Sequence, residues 1–141
     1  MKKENCPYCM YGEPLAKFGY LAFETEISAV IVFKDQTHPG RMIVAYKKDH
    51  VAEIQDLNDA DRNAFMKDVS DVAKAIQKAY HPNRINYGAY GDTLGHLHFH
   101  LCPKYEGKEE WGGTFLMNTG NLVDERACQE VAKKIIENYE A

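Results

Sequence analysis

An α+β fold is predicted by three changes of hydrophobic pattern along the chain. Short apolar and β-branched runs occupy residues 18–46, a helical period takes over from Asn58 to Tyr80, and strand-like runs return before a last helical stretch at 124–139. Strands that follow one another through short links pair antiparallel, and helices set between blocks of strands give α+β rather than alternating α/β. With 141 residues, 45% of them apolar or aromatic, the chain can bury one substantial core and is too short for two ordinary domains. A single domain over 1–141 is expected.

The elements follow in order. GYLAFET (19–25) and ISAVIVF (27–33) read as strands separated by the polar residues around Glu24 to Glu26. DQTHPG is turn-like, and RMIVAY, Arg41 to Tyr46, is a third β-branched and aromatic run. From Asn58 to Tyr80, Phe65, Val69, Val72, Ile76 and Ala79 recur every three or four residues, which marks an amphipathic helix. Asn58 caps it, Asp59 and Asp61 favour its positive end, and His81-Pro82 stops it. RINYGAY (84–90) and LGHLHFHLCP (94–103) read as two more strands around a Gly91-Asp92 turn, with Pro103 ending the second by removing a ladder donor. The last helix, Asp124 to Tyr139, places Ala127, Val131 and Ile135 on one face, widened by Cys128 and Ile136.

Charge excludes some functions. Seventeen basic against 21 acidic residues leave a net charge of -4, which argues against a general grip on nucleic acid or an anionic membrane. A phosphate-bearing partner should be small and bound locally. The start, MKKENCPYCMYGEP, has no apolar run after its lysines, and no stretch approaches the length of a membrane span, so a cytoplasmic protein is expected. There, four cysteines more often bind metal or act in redox chemistry than form disulfides.

The chemistry concentrates in GHLHFHLCPKY, where three histidines alternate at 96, 98 and 100. In a strand these side chains share one face, roughly 6.6 Å apart per pair, while Leu97, Phe99 and Leu101 take the other. Cys102 is assigned with that second set, as a core residue, and Cys128 reads as core on its helix. Imidazole can serve as nucleophile, proton carrier or metal ligand near neutral pH. Three from one nearly straight strand span too far to converge on one tetrahedral ion with bonds of about 2.0 to 2.1 Å. At least one of the three therefore has another task. CPYC, Cys6 to Cys9, is open to three readings: a redox pair, half of a zinc site, or two core cysteines. The redox reading lacks the preceding strand that such a motif requires.

HLHFHLC fits the His-x-His-x-His-x-x pattern, with apolar x, of the histidine triad (HIT) family. IVFKD before a turn, RMIVAYKKDH before a long helix, and NYGAYGDTLG before the histidines also resemble successive blocks of HIT domains, so the likeness covers about residues 6–105. It implies a five-stranded antiparallel sheet with a long helix and a C-terminal helix, commonly as a homodimer. It also implies a nucleotide hydrolase or nucleotidyl transferase acting on a nucleoside phosphoramidate or dinucleoside polyphosphate, through a covalent nucleotidyl-histidine formed at the α-phosphorus.

By that resemblance His98 is the nucleophile, His100 hydrogen-bonds a phosphate oxygen, and Thr93 lies near the phosphate or leaving group. Asp35 matches an acidic residue that binds ribose hydroxyls, and Asn86 a residue at the phosphate or nucleophile. Some HIT proteins complete a zinc site from a CxxC pair, a histidine before the long helix and the first triad histidine; here these are Cys6, Cys9, His50 and His96, with Asp49 a competitor for His50. Four protein ligands make such an ion structural. Magnesium could accompany a polyphosphate substrate. One ring nitrogen of a neutral nucleophile must point its proton at an acceptor, for which a backbone carbonyl is the natural candidate. Two departures stand out: Asp92 replaces a common glutamine, and the spacing from Asn86 to the triad is one residue shorter than in familiar phosphoramidases. Two rival readings are a zinc hydrolase with an open metal and a nucleotide-binding protein without turnover. His38 and His81 read as structural turn residues.

Overall fold

A computed structural model describes residues 1–141. Five antiparallel strands form one sheet: β1 (Gly19–Glu24), β2 (Ser28–Phe33), β3 (Met42–Tyr46), β4 (Arg84–Gly88) and β5 (His98–Lys104), in the order β1-β2-β3-β5-β4. The helices are α1 (Pro7–Met10), α2 (Gly12–Ala16), α3 (Asp59–Tyr80) and α4 (Glu125–Asn138). The fold is α+β with the five-stranded antiparallel sheet that the sequence implies.

Strand alternation sorts the core into two layers. Val30, Val32, Met42, Val44 and Leu101 meet Phe65, Val69, Val72 and Ile76 of α3 and Val131 and Ile135 of α4. Their neighbours Ala29, Ile31, Phe33, Ile43 and Ala45 face the other way and pack with Tyr8, Leu15 and the two N-terminal cysteines. Every residue of β2 and β3 is buried because both faces are covered. Burying each such Val or Ile contributes about 1.5–3 kcal/mol, which makes these strands the rigid support of the site.

The ends of α3 are as predicted: the Asn58 side chain accepts from the Asp61 amide at 2.8 Å, and His81 stops the helix in the left-handed conformation with φ 53°. Asp124 caps α4 in the same way, accepting from Ala127 at 2.9 Å. Ile136 does not join the α4 face; it is 49% exposed.

Three features of β5 differ from expectation. It begins at His98, so His96 precedes the ladder. It continues through Pro103, which pairs with Ile85. Odd-numbered residues of β5 direct their backbone groups toward β3, and the β3 pairing ends at Met42 and Leu101. The missing amide of Pro103 thus falls where no neighbour remains. Cys102 follows His98 and His100 in even register and lies on their face, fully buried, not among Leu97, Phe99 and Leu101. The helices α1 and α2 were not anticipated: four and five residues are too short to show a period.

Candidate active site

His98 and His100 line a cavity of about 490 Å³ whose wall includes Tyr8, Phe33, Thr93 and Asn118. The elements that place them come from across the chain: β5 supplies the imidazoles, the α1 segment supplies Tyr8, and the residues before α4 close one side. The Tyr8 ring lies against His98, with centroids 4.6 Å apart and planes inclined by 30°. Phe33 meets His100 edge-on at 5.2 Å.

Hydrogen bonds fix the ring nitrogens. His98 Nδ1 lies 2.6 Å from the His96 carbonyl oxygen, which can only accept, so Nδ1 carries the proton and Nε2 keeps a free lone pair. The acceptor is a backbone carbonyl, the kind of partner expected from the sequence. His100 Nδ1 faces the Arg41 guanidinium at 3.2 Å. Burial lowers the pKa of His98, partly opposed by the His96 carbonyl. Burial, then Arg41 and His98, push His100 down to about 3. Both imidazoles are neutral at pH 7.

A second cluster adjoins the first. Cys6, Cys9, His50 and His96 bring one donor atom each to within 4.8 Å of one another. His96 Nδ1 lies 3.4 Å from both sulfurs, Cys9 Sγ is 3.3 Å from His50 Nδ1, and the two Nδ1 atoms are 3.1 Å apart. A tetrahedral ion with bonds of about 2.3 Å to sulfur and about 2.05 Å to nitrogen separates its S and N donors by about 3.5 Å and two N donors by about 3.3 Å. These four separations match such an ion to within about 0.3 Å. His96 Nε2 donates to the Tyr46 carbonyl at 2.6 Å, leaving Nδ1 free to ligate. Burial pushes the Cys6 thiol pKa up, a cost that a bound cation removes by stabilising the thiolate. Asp49 is outside the cluster; its carboxylate accepts from the His50 amide at 2.8 Å.

The remaining predicted residues divide. Thr93 lines the cavity at its exposed rim, with Asp92 beside it, where water screens the acidic charge. Asn86 pairs with Cys102 and lines a separate depression with Thr114 and Phe115. Asp35 is fully buried and does not line the cavity. One carboxylate oxygen accepts from the amide and hydroxyl of Thr37 at 3.1 and 2.7 Å, and the other from the amide and hydroxyl of Thr119. Burial alone would raise its pKa, but these bonds outweigh it and hold the carboxyl below the usual range.

Asp35 is one anchor of a strap, residues 110–119, that bends back over the sheet and delivers Met117 and Asn118 to the cavity. His38 grips Glu110 at 2.6 Å, as a structural residue should. Lys104 is buried and donates to the carbonyls of Glu110 and Gly113 at 2.7 and 2.6 Å, so it holds the strap. Sequence reasoning missed Tyr8 and Arg41 as residues of the site. Tyr8 lies inside CPYC, where the cysteines draw attention; Arg41 opens a strand, where a charged residue ordinarily faces solvent.

A family model described as the HIT domain matches residues 20–107. An uncharacterized HIT-like protein of Methanocaldococcus jannaschii is 27% identical over 99 residues, spanning 60% of this chain and 76% of that protein. The crystal structure of a histidine triad protein from Sinorhizobium meliloti superposes with a TM-score of 0.83 at 22% identity, covering 94% of this chain and 98% of that one. A Zn-bound histidine triad family protein from Mycobacterium smegmatis superposes with a TM-score of 0.60 at 15% identity, covering 84% and 81% of the two chains. These structural likenesses establish the fold.

Proposed function

Because this chain belongs to the HIT domain family, we propose that it is a nucleotide hydrolase or nucleotidyl transferase that works through a covalent nucleotidyl group on His98. The substrate class is a nucleoside phosphoramidate or dinucleoside polyphosphate, with a purine base, cleaved at the α-phosphorus. The observation that carries this reading is the bond from His98 Nδ1 to the His96 carbonyl, which leaves a neutral, oriented Nε2 lone pair in the cavity.

In the first step His98 Nε2 forms a P–N bond as the bond from phosphorus to the leaving group breaks. Water then attacks the same phosphorus, forming a P–O bond as the P–N bond breaks, which returns the neutral imidazole and releases the nucleoside monophosphate and a proton to solvent. His100 donates from Nε2 to a phosphate oxygen as charge develops, and Thr93 reaches the phosphate or leaving group from the rim. Removing such a donor typically costs about 10²–10³-fold in rate. Tyr8, Phe18, Phe33 and Leu94 give the cavity an apolar wall on which a base can stack. Asp35 contact with ribose requires displacement of Thr119; as placed, it supports the wall through the strap.

Zinc is the ion we assign to Cys6, Cys9, His50 and His96, and with four protein ligands it is structural, joining the N-terminal segment to the residues just before β5. That coordination disfavours an open-metal hydrolase. Magnesium has no support, since Asp92 is the one carboxylate at the cavity. No helix is long and apolar enough to cross a membrane. Four unpaired cysteines suit a cytoplasmic setting, and the family resemblance favours a homodimer.

Turnover of diadenosine polyphosphate and adenosine phosphoramidate by wild type and His98→Ala tests the reading. Release of AMP by wild type, lost in the variant, supports it; equal turnover by both rejects the nucleophile. Tight nucleotide binding with no turnover by wild type would favour the non-catalytic rival.

A further inference from the structure

We propose that Arg41 is a positioning residue for the transfer: it fixes His100 in the tautomer protonated on Nε2 and holds a permanent positive charge behind that imidazole. The effect on rate rests on the function proposed above; the effect on the tautomer does not.

Arg41 is 1% exposed, yet it forms no ion pair, and its Nε is buried without a hydrogen-bond partner. Its guanidinium lies between the rings of Phe33 and Phe115, 4.3 and 4.7 Å from their centroids. Nη1 donates to the Leu116 carbonyl at 3.0 Å, and Nη2 faces His100 Nδ1 at 3.2 Å. The turn before it sets this placement: Gly40 has φ 93°, and a Cβ there would meet the Tyr80 ring at 2.8 Å.

A guanidinium has donors only and stays charged inside proteins, so Nδ1 of His100 must accept. A neutral imidazole has one N–H, which is thereby left on Nε2. The doubly protonated ring is excluded as well, because it would set two cations 3.2 Å apart away from water. An unpaired buried charge is costly, and hydrophobic packing between two aromatic rings would be better served by methionine. The cost is offset when an anionic phosphoryl group occupies the cavity on the far side of His100. Charge then runs in series: guanidinium, imidazole N–H, phosphoryl oxygen. In the sequence nothing distinguishes Arg41 from a solvated strand-edge residue.

The test is nitrogen-15 NMR of the histidine side chains in the full chain at pH 7.5, with the His100 signals assigned by their loss in His100→Asn. Wild type is expected to show His100 protonated on Nε2. Arg41→Met should release the ring to a mixture of tautomers, and Arg41→Lys, which keeps charge and donor, should restore the wild-type pattern. The rate of nucleotidyl transfer to His98 should fall about 100-fold in Arg41→Met and recover largely in Arg41→Lys. Wild-type His100 protonated on Nδ1, or an unchanged tautomer in Arg41→Met, overturns the inference. If wild type never transfers a nucleotide, the proposed function fails, while the NMR result still decides the tautomer.

Discussion

His98 and His100 are two of the few polar side chains in a buried layer, and burial gives them their chemistry. An exposed imidazole is part protonated near its usual pKa of about 6.5, whereas burial holds both of these below it, His100 at about 3. That has a consequence for stability. Between pH 6.5 and about 3, the unfolded chain binds a proton that folded His100 refuses, so stability is full above the upper value and falls with pH below it. This site alone contributes a slope of roughly 1.4 kcal/mol per pH unit in that window. His100→Asn should therefore flatten the fall in urea midpoint between pH 6.5 and 4; an unchanged slope would mean that His100 titrates normally. Tyr8 acts at the same scale: Tyr8→Ala should remove the ring against His98 and lower turnover about tenfold with zinc content unchanged, as steady-state kinetics and metal analysis would show.

Among the elements, those with long repeating patterns were legible in advance. The three N-terminal strands, α3 with its Asn58 cap, and α4 all appear within a residue or two of their expected bounds. What escaped had physical reasons. Pro103 stays in β5 because its missing donor points where β3 has ended, a fact of topology that one strand cannot show. The alternation of the triad was legible, but its first member lies outside the ladder because His96 turns toward the cysteines. Asp35 was read for its carboxylate and is met as a strap anchor because Thr119, its partner, is 84 positions away. Asp35→Asn would oppose an amide group to donors at Thr37 or Thr119, and we expect a loss of roughly 2 kcal/mol together with a raised KM. Denaturation and kinetics check this; an unaltered midpoint would show that the carboxylate is not the anchor.

At the scale of the whole molecule, the sheet divides labour between its faces. One face carries α3 and α4 and most of the core; the other carries the N-terminal segment, the Cys/His cluster and the histidine cavity. The cluster joins the N-terminal cysteines to His50 and His96, so metal binding should stabilise the fold rather than the reaction step. Cys9→Ser is expected to lose bound zinc and to melt roughly 10 °C or more below wild type. Equal zinc content in variant and wild type would remove the site from the account. A brief chelator treatment at low temperature should leave more activity than an open catalytic metal would allow.

The central claim is that His98 carries the nucleotide, and intact-mass spectrometry of acid-free quenched reactions tests it most directly. Wild type mixed with adenosine phosphoramidate or diadenosine polyphosphate should gain the mass of one adenylyl group, mapped to His98, and His98→Ala should gain none. An adenylyl group on another residue, or turnover by His98→Ala as fast as wild type, would contradict it.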